Sequence, residues 1–266
     1  MFRTWIVLAA FACGAASGQA PAYSTNSIVN GANFAPGPFA PNSFVTIFGT
    51  NLSYEQQTLT ALTASGFVPN YLGDTRVYVD NLTCPVIYVS ATQINFLIPG
   101  NLISGSFPVR VVRQGVTGPE VSITLAAAAP QLFVQPSGYV IAQHTSDYSL
   151  VTPDAPAKAG ETVVIYASGL GATAPNPLPG EIPIYPALVT TPVTLLLNGA
   201  GVDSSNIFYA GVTPGLAGVY QINVRLPANL DADPEIRAAA GGQTSASGLK
   251  LAAQASSTQP DSPVAR

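Results

Sequence analysis

Apolar and polar residues alternate in short runs along most of the chain, and Gly, Pro, Asn and Asp interrupt the runs about every ten residues. A period of two with frequent turn residues predicts β-strands and an all-β sandwich. Strands are expected at residues 43–48, 75–79, 86–90, 93–98, 107–113 and 120–125, and again at 162–167, 192–197, 207–209, 218–226, 235–239 and 249–252. Two shorter strand-like pieces, 131–134 and 139–143, lie between the two series.

The two series echo each other. Phe44-Val-Thr-Ile-Phe-Gly-Thr-Asn-Leu52 returns as Thr162-Val-Val-Ile-Tyr-Ala-Ser-Gly-Leu170, and Gln93-Ile-Asn-Phe-Leu-Ile-Pro99 returns as Gln221-Ile-Asn-Val-Arg-Leu-Pro227. Order is kept, so the chain reads as a tandem duplication of one β-rich unit. The offset is 118 residues at the first echo and 128 at the second, which places a net insertion of ten in the second copy. Residues 175–186, rich in Pro and Gly, and residues 213–218 are the two expected hosts. In the first echo a buried strand runs into a sharp turn. Gly49, Asn51 and Gly169 suit positive φ there, and Leu52 and Leu170 fold back as apolar plugs. In the second echo, parity puts Gln93 with Asn95 on one face, and Gln221 with Asn223 and Arg225. Such paired amides either read a ligand such as a sugar or satisfy backbone groups of a nearby loop, and their retention in both copies favours the structural role.

The first residues change the picture of where the protein works. Arg3, the apolar run from Trp5 to Ala12 and the small residues Ala16-Ser-Gly18 form an export leader over residues 1–18, cleaved after Gly18. A lipoprotein junction at Ala12-Cys13 is the alternative, with Ala10 and Phe11 poorly suited to it. The apolar run is too short to span a bilayer, and no later segment reads as transmembrane. The expected division is then 19–128 for the first unit, 129–253 for the second and a disordered Ser/Gln/Pro-rich tail over 254–266.

Only 8% of residues are charged, while Gly and Pro number 24 each. With Arg3 removed, 8 basic residues face 13 acidic ones, a net charge of −5. There is no basic patch to hold phosphates, which argues against nucleic-acid binding. Cys84 is the single cysteine after the leader, among the apolar residues Pro85-Val-Ile-Tyr-Val89, and reads as a core filler.

No catalytic, cofactor-binding or metal-binding residue is assigned. His144 is the one histidine; Ser146 and Asp147 lie beside it, but sequence neighbours do not converge as a triad does. Asp231-Ala-Asp-Pro-Glu235 lacks the glycine and length of a calcium loop and reads as a solvated acidic turn.

The turn ending Gly49-Thr-Asn-Leu52 resembles the first strand of the Ig-like, plexin and transcription-factor (IPT/TIG) fold. Six segments also occur in one family's order: Val29-Asn-Gly-Ala-Asn-Phe34, the stretch Ala40 to Leu52, Tyr88 to Phe96, Ala129-Pro-Gln-Leu-Phe133, Ile165 to Gly171 and Ala210 to Asn223. Together they resemble the Solibacter-type C-terminal domain family of secreted acidobacterial proteins. The resemblance implies two tandem Ig-like (IPT/TIG-like) β-sandwiches and export, and no established activity. The expected function is a secreted, non-catalytic binding or structural module of the cell envelope or extracellular space, with a protein or carbohydrate partner. Recognition is expected on residues 175–186 and exposed tyrosines such as Tyr185. The alternative is a secreted carbohydrate-active or other hydrolytic enzyme, which needs a pair of facing carboxylates.

Overall fold

A computed structural model of the chain describes residues 18–256. The leader expected over residues 1–18, with Cys13, lies outside the described residues apart from Gly18, as do residues 257–266. Residues 254–256 differ from the expected disordered tail because they supply bonds the second unit needs. Gln254 N–H donates to Ala157 O at 2.8 Å, and Ser256 Oγ accepts from Leu230 N–H at 2.7 Å.

The strands up to Leu125 are β1 (Ile28–Asn30), β2 (Phe44–Phe48), β3 (Gln57–Thr58), β4 (Thr75–Val79), β5 (Leu82–Thr83), β6 (Val86–Val89), β7 (Gln93–Leu97), β8 (Gly105–Arg113), β9 (Val116–Thr117) and β10 (Val121–Leu125). They make two sheets, β1-β2-β7-β6-β3 and β10-β8-β4-β5 with β9 on β8. The later strands are β11 (Gln131–Leu132), β12 (Ala142–His144), β13 (Thr162–Ser168), β14 (Thr173–Ala174), β15 (Leu188–Val189), β16 (Val193–Leu197), β17 (Ala200–Gly201), β18 (Ile207–Val212), β19 (Tyr220–Arg225), β20 (Ile236–Ala240) and β21 (Gln243–Thr244). They make the sheets β11-β13-β19-β18-β15-β14, with β12 also on β13, and β17-β16-β20-β21. The only helical pieces among the described residues are two three-residue 3-10 turns. Residues 249–252, expected as a strand, form no ladder: Lys250 makes isolated bridges to both Tyr139 and Glu235, so its backbone groups are shared between two neighbours.

Alternation drives the assembly. In β4, Val77 and Val79 are buried while Arg76 points out, and in β8 Val109 and Val111 are buried. The inward residues gather into two separate clusters. One contains Ile47, Leu52, Val77, Ile94, Phe96 and Val111; the other contains Ile165, Leu170, Leu195, Tyr220, Ile222 and Leu251. Burial of these side chains, at roughly 1.5–3 kcal/mol each, is the main drive to fold each cluster.

The echoed segments pair with each other, and do so in the same register. Phe44 faces Leu97 and Phe48 faces Gln93 in the first ladder; Thr162 faces Arg225 and Tyr166 faces Gln221 in the second. The third strand repeats too. A bulge at Ile87, between the Val86 and Tyr88 pairs, recurs at Phe208, between the Ile207 and Tyr209 pairs. Structural equivalence then locates the ten-residue insertion. The offset is still 118 at Tyr78–Thr83 against Leu196–Gly201, becomes 121 at Val86 against Ile207, and reaches 128 at Gln93 against Gln221. Three extra residues therefore enter before β18, where the 3-10 turn Ser204–Asn206 sits, and seven enter between β18 and β19. Residues 213–218 carry most of the insertion. Residues 175–186 carry none, because both flanks keep the same offset.

No exposed linker separates the two halves; Ala128, Ala129 and Pro130 are buried. Ala129 N–H donates to Gly169 O at 2.8 Å, Phe44 N–H to Ser168 Oγ at 3.0 Å and Asn33 Nδ2 to Gln131 Oε1 at 2.8 Å. On the other side Val68 N–H donates to Gly180 O at 2.8 Å, and Asn176 Nδ2 to Gly100 O at 3.2 Å.

Candidate functional site

The echoed turn keeps its glycines for two different reasons. Asn51 (φ 56°) and Gly169 (φ 74°) take the left-handed conformation. Gly49 does not. A Cβ there would lie 2.4 Å from the Ala22 carbonyl, so this glycine permits close approach of the entering N-terminal segment. Leu52 and Leu170 are fully buried plugs in both copies.

The paired amides bond to each other rather than to a neighbouring loop. Gln93 Nε2 donates to Asn95 Oδ1 at 2.9 Å, and Gln221 Nε2 to Asn223 Oδ1 at 3.1 Å. Each pair lies along one strand, and Thr46 Oγ1 adds a bond to Asn95 at 3.0 Å. Arg225, on the same face, turns its Nε to Gly160 O at 3.2 Å.

Residues 175–186 and 213–218 meet. Gly215 N–H donates to Pro183 O at 2.7 Å, and Glu181 Oε2 holds the strap's own turn by accepting Leu178 N–H at 2.8 Å. Gly180, Asn176 and the Phe67–Glu181 bridge face the first unit, so the inner side of this strap is part of the joint. The strap also exposes apolar side chains: Leu178 is 61% exposed, Ile184 69%, Tyr185 68% and, across the loop contact, Leu216 48%. Leu188 and Phe208 extend exposed apolar surface onto β15 and β18. The bulge explains Phe208, since the extra residue there leaves the ladder. Sequence reading named residues 175–186, which include Leu178 and Ile184, and Tyr185, but did not place Leu216 with them, because that depends on how the two loops meet.

A second concave feature lies at the other end of the second unit. A cleft of about 800 Å³ is lined by His144, Asp147, Asp154, Lys158 and Glu161 among others. His144 is the last residue of β12 and pairs in register with Val163. Its Nδ1 lies 2.5 Å from Glu161 Oε1 and its Nε2 lies 3.1 Å from Ala155 O. The neighbours named beside it in sequence do not join it. Asp147 instead accepts Ser149 N–H and Oγ–H, at 3.0 and 2.7 Å, and those bonds hold its carboxyl below the usual range. Glu161, 17 residues away, was invisible to any local motif.

Cys84 is fully buried in the first core, and burial pushes its thiol well above the ordinary range. The 231–235 segment is not a solvated turn. Asp233 accepts Tyr139 O–H and Ala253 N–H, Glu235 accepts Gly248 N–H, and Asp231 accepts Asn198 Nδ2–H. Each carboxylate closes a different contact of the fold. Among the described residues there is no cluster of three or more His, Cys, Asp or Glu arranged to hold a metal, and no helix long and apolar enough to cross a membrane.

Residues 27–126 match the IPT/TIG domain, which agrees with the Ig-like, all-β class of the whole described chain. No curated protein matches the chain. Among solved structures, similarity extends to a surface glycan-binding protein from Prevotella bryantii (10% identity over 88% of this chain and 42% of that one, TM-score 0.28). A second is the Bacteroides ovatus surface glycan-binding protein in complex with a mixed-linkage heptasaccharide (11% identity, 90% and 47%, TM-score 0.34). A third is domains 5–6 of the S-layer protein SbsC (11% identity, 88% and 99%, TM-score 0.29). The chain spans less than half the length of the first two.

Proposed function

We propose that the protein is an exported, non-catalytic binding module of the cell envelope or extracellular space, working by surface recognition of a protein or carbohydrate partner. In this reading residues 1–18 are the leader, 19–128 and 129–253 are two Ig-like units of the Solibacter-type family, and the partner meets the second unit's outer loops. The observation that carries it is the gathering of Leu178, Ile184, Tyr185 and Leu216, all exposed, on two loops bonded to each other over the joint. Exposed apolar side chains with an aromatic among them suit partner recognition, because a tyrosine ring offers a large contact for little lost conformational freedom.

Replacing the whole 175–186 segment would also remove the Gly180 and Asn176 contacts, so the test uses point changes at its exposed side chains. Purified mature protein should be retained on envelope material, and the double variant Ile184→Ser, Tyr185→Ser should lose that retention with an unchanged circular dichroism spectrum. Polysaccharide, peptide and ester panels run alongside it. Hydrolysis abolished by one carboxylate or serine substitution in a folded protein would overturn the reading.

A further inference from the structure

We infer that His144 is a proton-operated clamp on the 145–161 loop: protonated, it fastens the two turns that line the large cleft, and neutral, it releases one of them. Both ring nitrogens face acceptors, the Glu161 carboxylate at 2.5 Å and the Ala155 carbonyl at 3.1 Å. Only the imidazolium carries an N–H on each nitrogen; a neutral ring has one N–H and one lone pair. Deprotonation therefore sets a lone pair against either the carboxylate or the carbonyl, and that contact must open.

The two acceptors belong to different turns. The Ala155 carbonyl sits in a turn closed by reciprocal Thr152 and Ala155 backbone bonds at 3.0 Å. Glu161 ends the next turn, where its N–H donates to Lys158 O at 3.1 Å and its Oε2 accepts Lys158 N–H at 2.9 Å. The ring is anchored elsewhere, since His144 N–H donates to Ser149 O at 3.0 Å and the residue lies in the β12–β13 ladder. One proton thus ties both cleft-lining turns to the sheet.

The charged and titratable groups around the ring come from every neighbouring segment. Asp147 and Tyr148 lie on its own hairpin, Asp154 and Lys158 on the loop, Glu161 at the start of β13, and Arg225 of β19 reaches Gly160. Burial pulls the His144 pKa down. The Glu161 hydrogen bond, the Ala155 carbonyl and the charges of Glu161 and Asp147 outweigh it, and the net shift is upward. A raised native value means that the clamp contributes fully below the ordinary histidine pKa and is lost as pH rises through the native one.

His144 is the only histidine in the chain, so a single imidazole signal in an NMR titration reports it. Its midpoint should lie above the unperturbed value of about 6.5. The amides of Ala155 and Lys158 should lose hydrogen-exchange protection, corrected for intrinsic base catalysis, across the same midpoint, while those of Val77 and Val111 should not. Glu161→Gln gives the sharper arm. Its carboxamide NH₂ can donate to the Nδ1 lone pair and its oxygen can accept Lys158 N–H, so a neutral ring satisfies every partner. The midpoint should fall by roughly one unit or more in that variant, and the loop should keep its protection across the pH range of the wild-type midpoint. A wild-type midpoint at or below about 6.5, loop amides that ignore it, or an unmoved midpoint in Glu161→Gln would each overturn the clamp.

Discussion

Cys84 and Val202 are one position seen twice. They stand 118 residues apart, and each donates its N–H to the paired strand: Cys84 to Val77 O at 2.9 Å, Val202 to Leu195 O at 2.8 Å. The thiol is fully buried in its core, while the equivalent valine is half-buried and packs against the other core. Thiol titration should detect Cys84 only after denaturation, because burial leaves almost no thiolate. Cys84→Val adds about a methyl group to a fully buried site and should destabilise by about 1–3 kcal/mol. Rapid labelling of the native protein would contradict both expectations. Arg113 is the opposite case, a charge buried to 2% exposure by local architecture. Its guanidinium stacks 3.7 Å from the Tyr54 ring and donates to the Asn51 and Gln19 carbonyls, both at 2.6 Å. Arg113→Met would leave two carbonyls unpaired and free the Gln19 segment, so chemical denaturation should show a loss of about 1–3 kcal/mol. An unchanged midpoint would mean that water replaces the guanidinium without cost.

At the scale of elements, the repeated unit is a three-stranded ladder, β2-β7-β6 and β13-β19-β18, whose register and bulge survive where most side chains have changed. A one-residue slip would turn Ile94 and Phe96, or Ile222 and Val224, out of the core, which is why register is kept so strictly. The turn after the first strand does double duty in the second copy. Gly169 closes the turn in left-handed geometry, and it also sits where a Cβ would approach the Ala129 carbonyl to 2.3 Å. The same Cβ would lie 3.2 Å from Ser43 Oγ of the first unit, so this residue both shapes its own unit and lets the first unit approach.

The joint sets the behaviour of the whole molecule. Bonds at Phe44–Ser168, Asn33–Gln131 and Val68–Gly180 span the two halves on opposite sides of the connection. Calorimetry of the mature protein should accordingly show one cooperative transition. Gly169→Ala combines a positive-φ penalty with a backbone clash, so it should destabilise by about 2 kcal/mol or more and separate the transition into two. A single unshifted transition in that variant would show that the joint does not couple the units. Replacing Gly138, also at positive φ (85°) but with open space around it, controls for the φ penalty alone.

Alternation, turn residues and the two echoes were enough to read the all-β class and the strand centres, because a strand's periodicity and its breakers are local properties of the chain. Short edge pieces such as β3, β5 and β9 escaped, since two residues carry no period and exist as strands only through their partners. The site was less legible for the same reason. Residues 175–186 and Tyr185 could be named, yet Leu216 joins them only from a second loop that meets the first through a backbone bond, Gly215 to Pro183. The sequence by itself determined the repeat, its faces and its plugs, which depend on residues within one strand or turn. Tertiary structure alone decided the allocation of the insertion, the strap's inner role in the joint and the pairing of His144 with Glu161, because each depends on which distant backbone groups a loop must satisfy once the two sheets have packed.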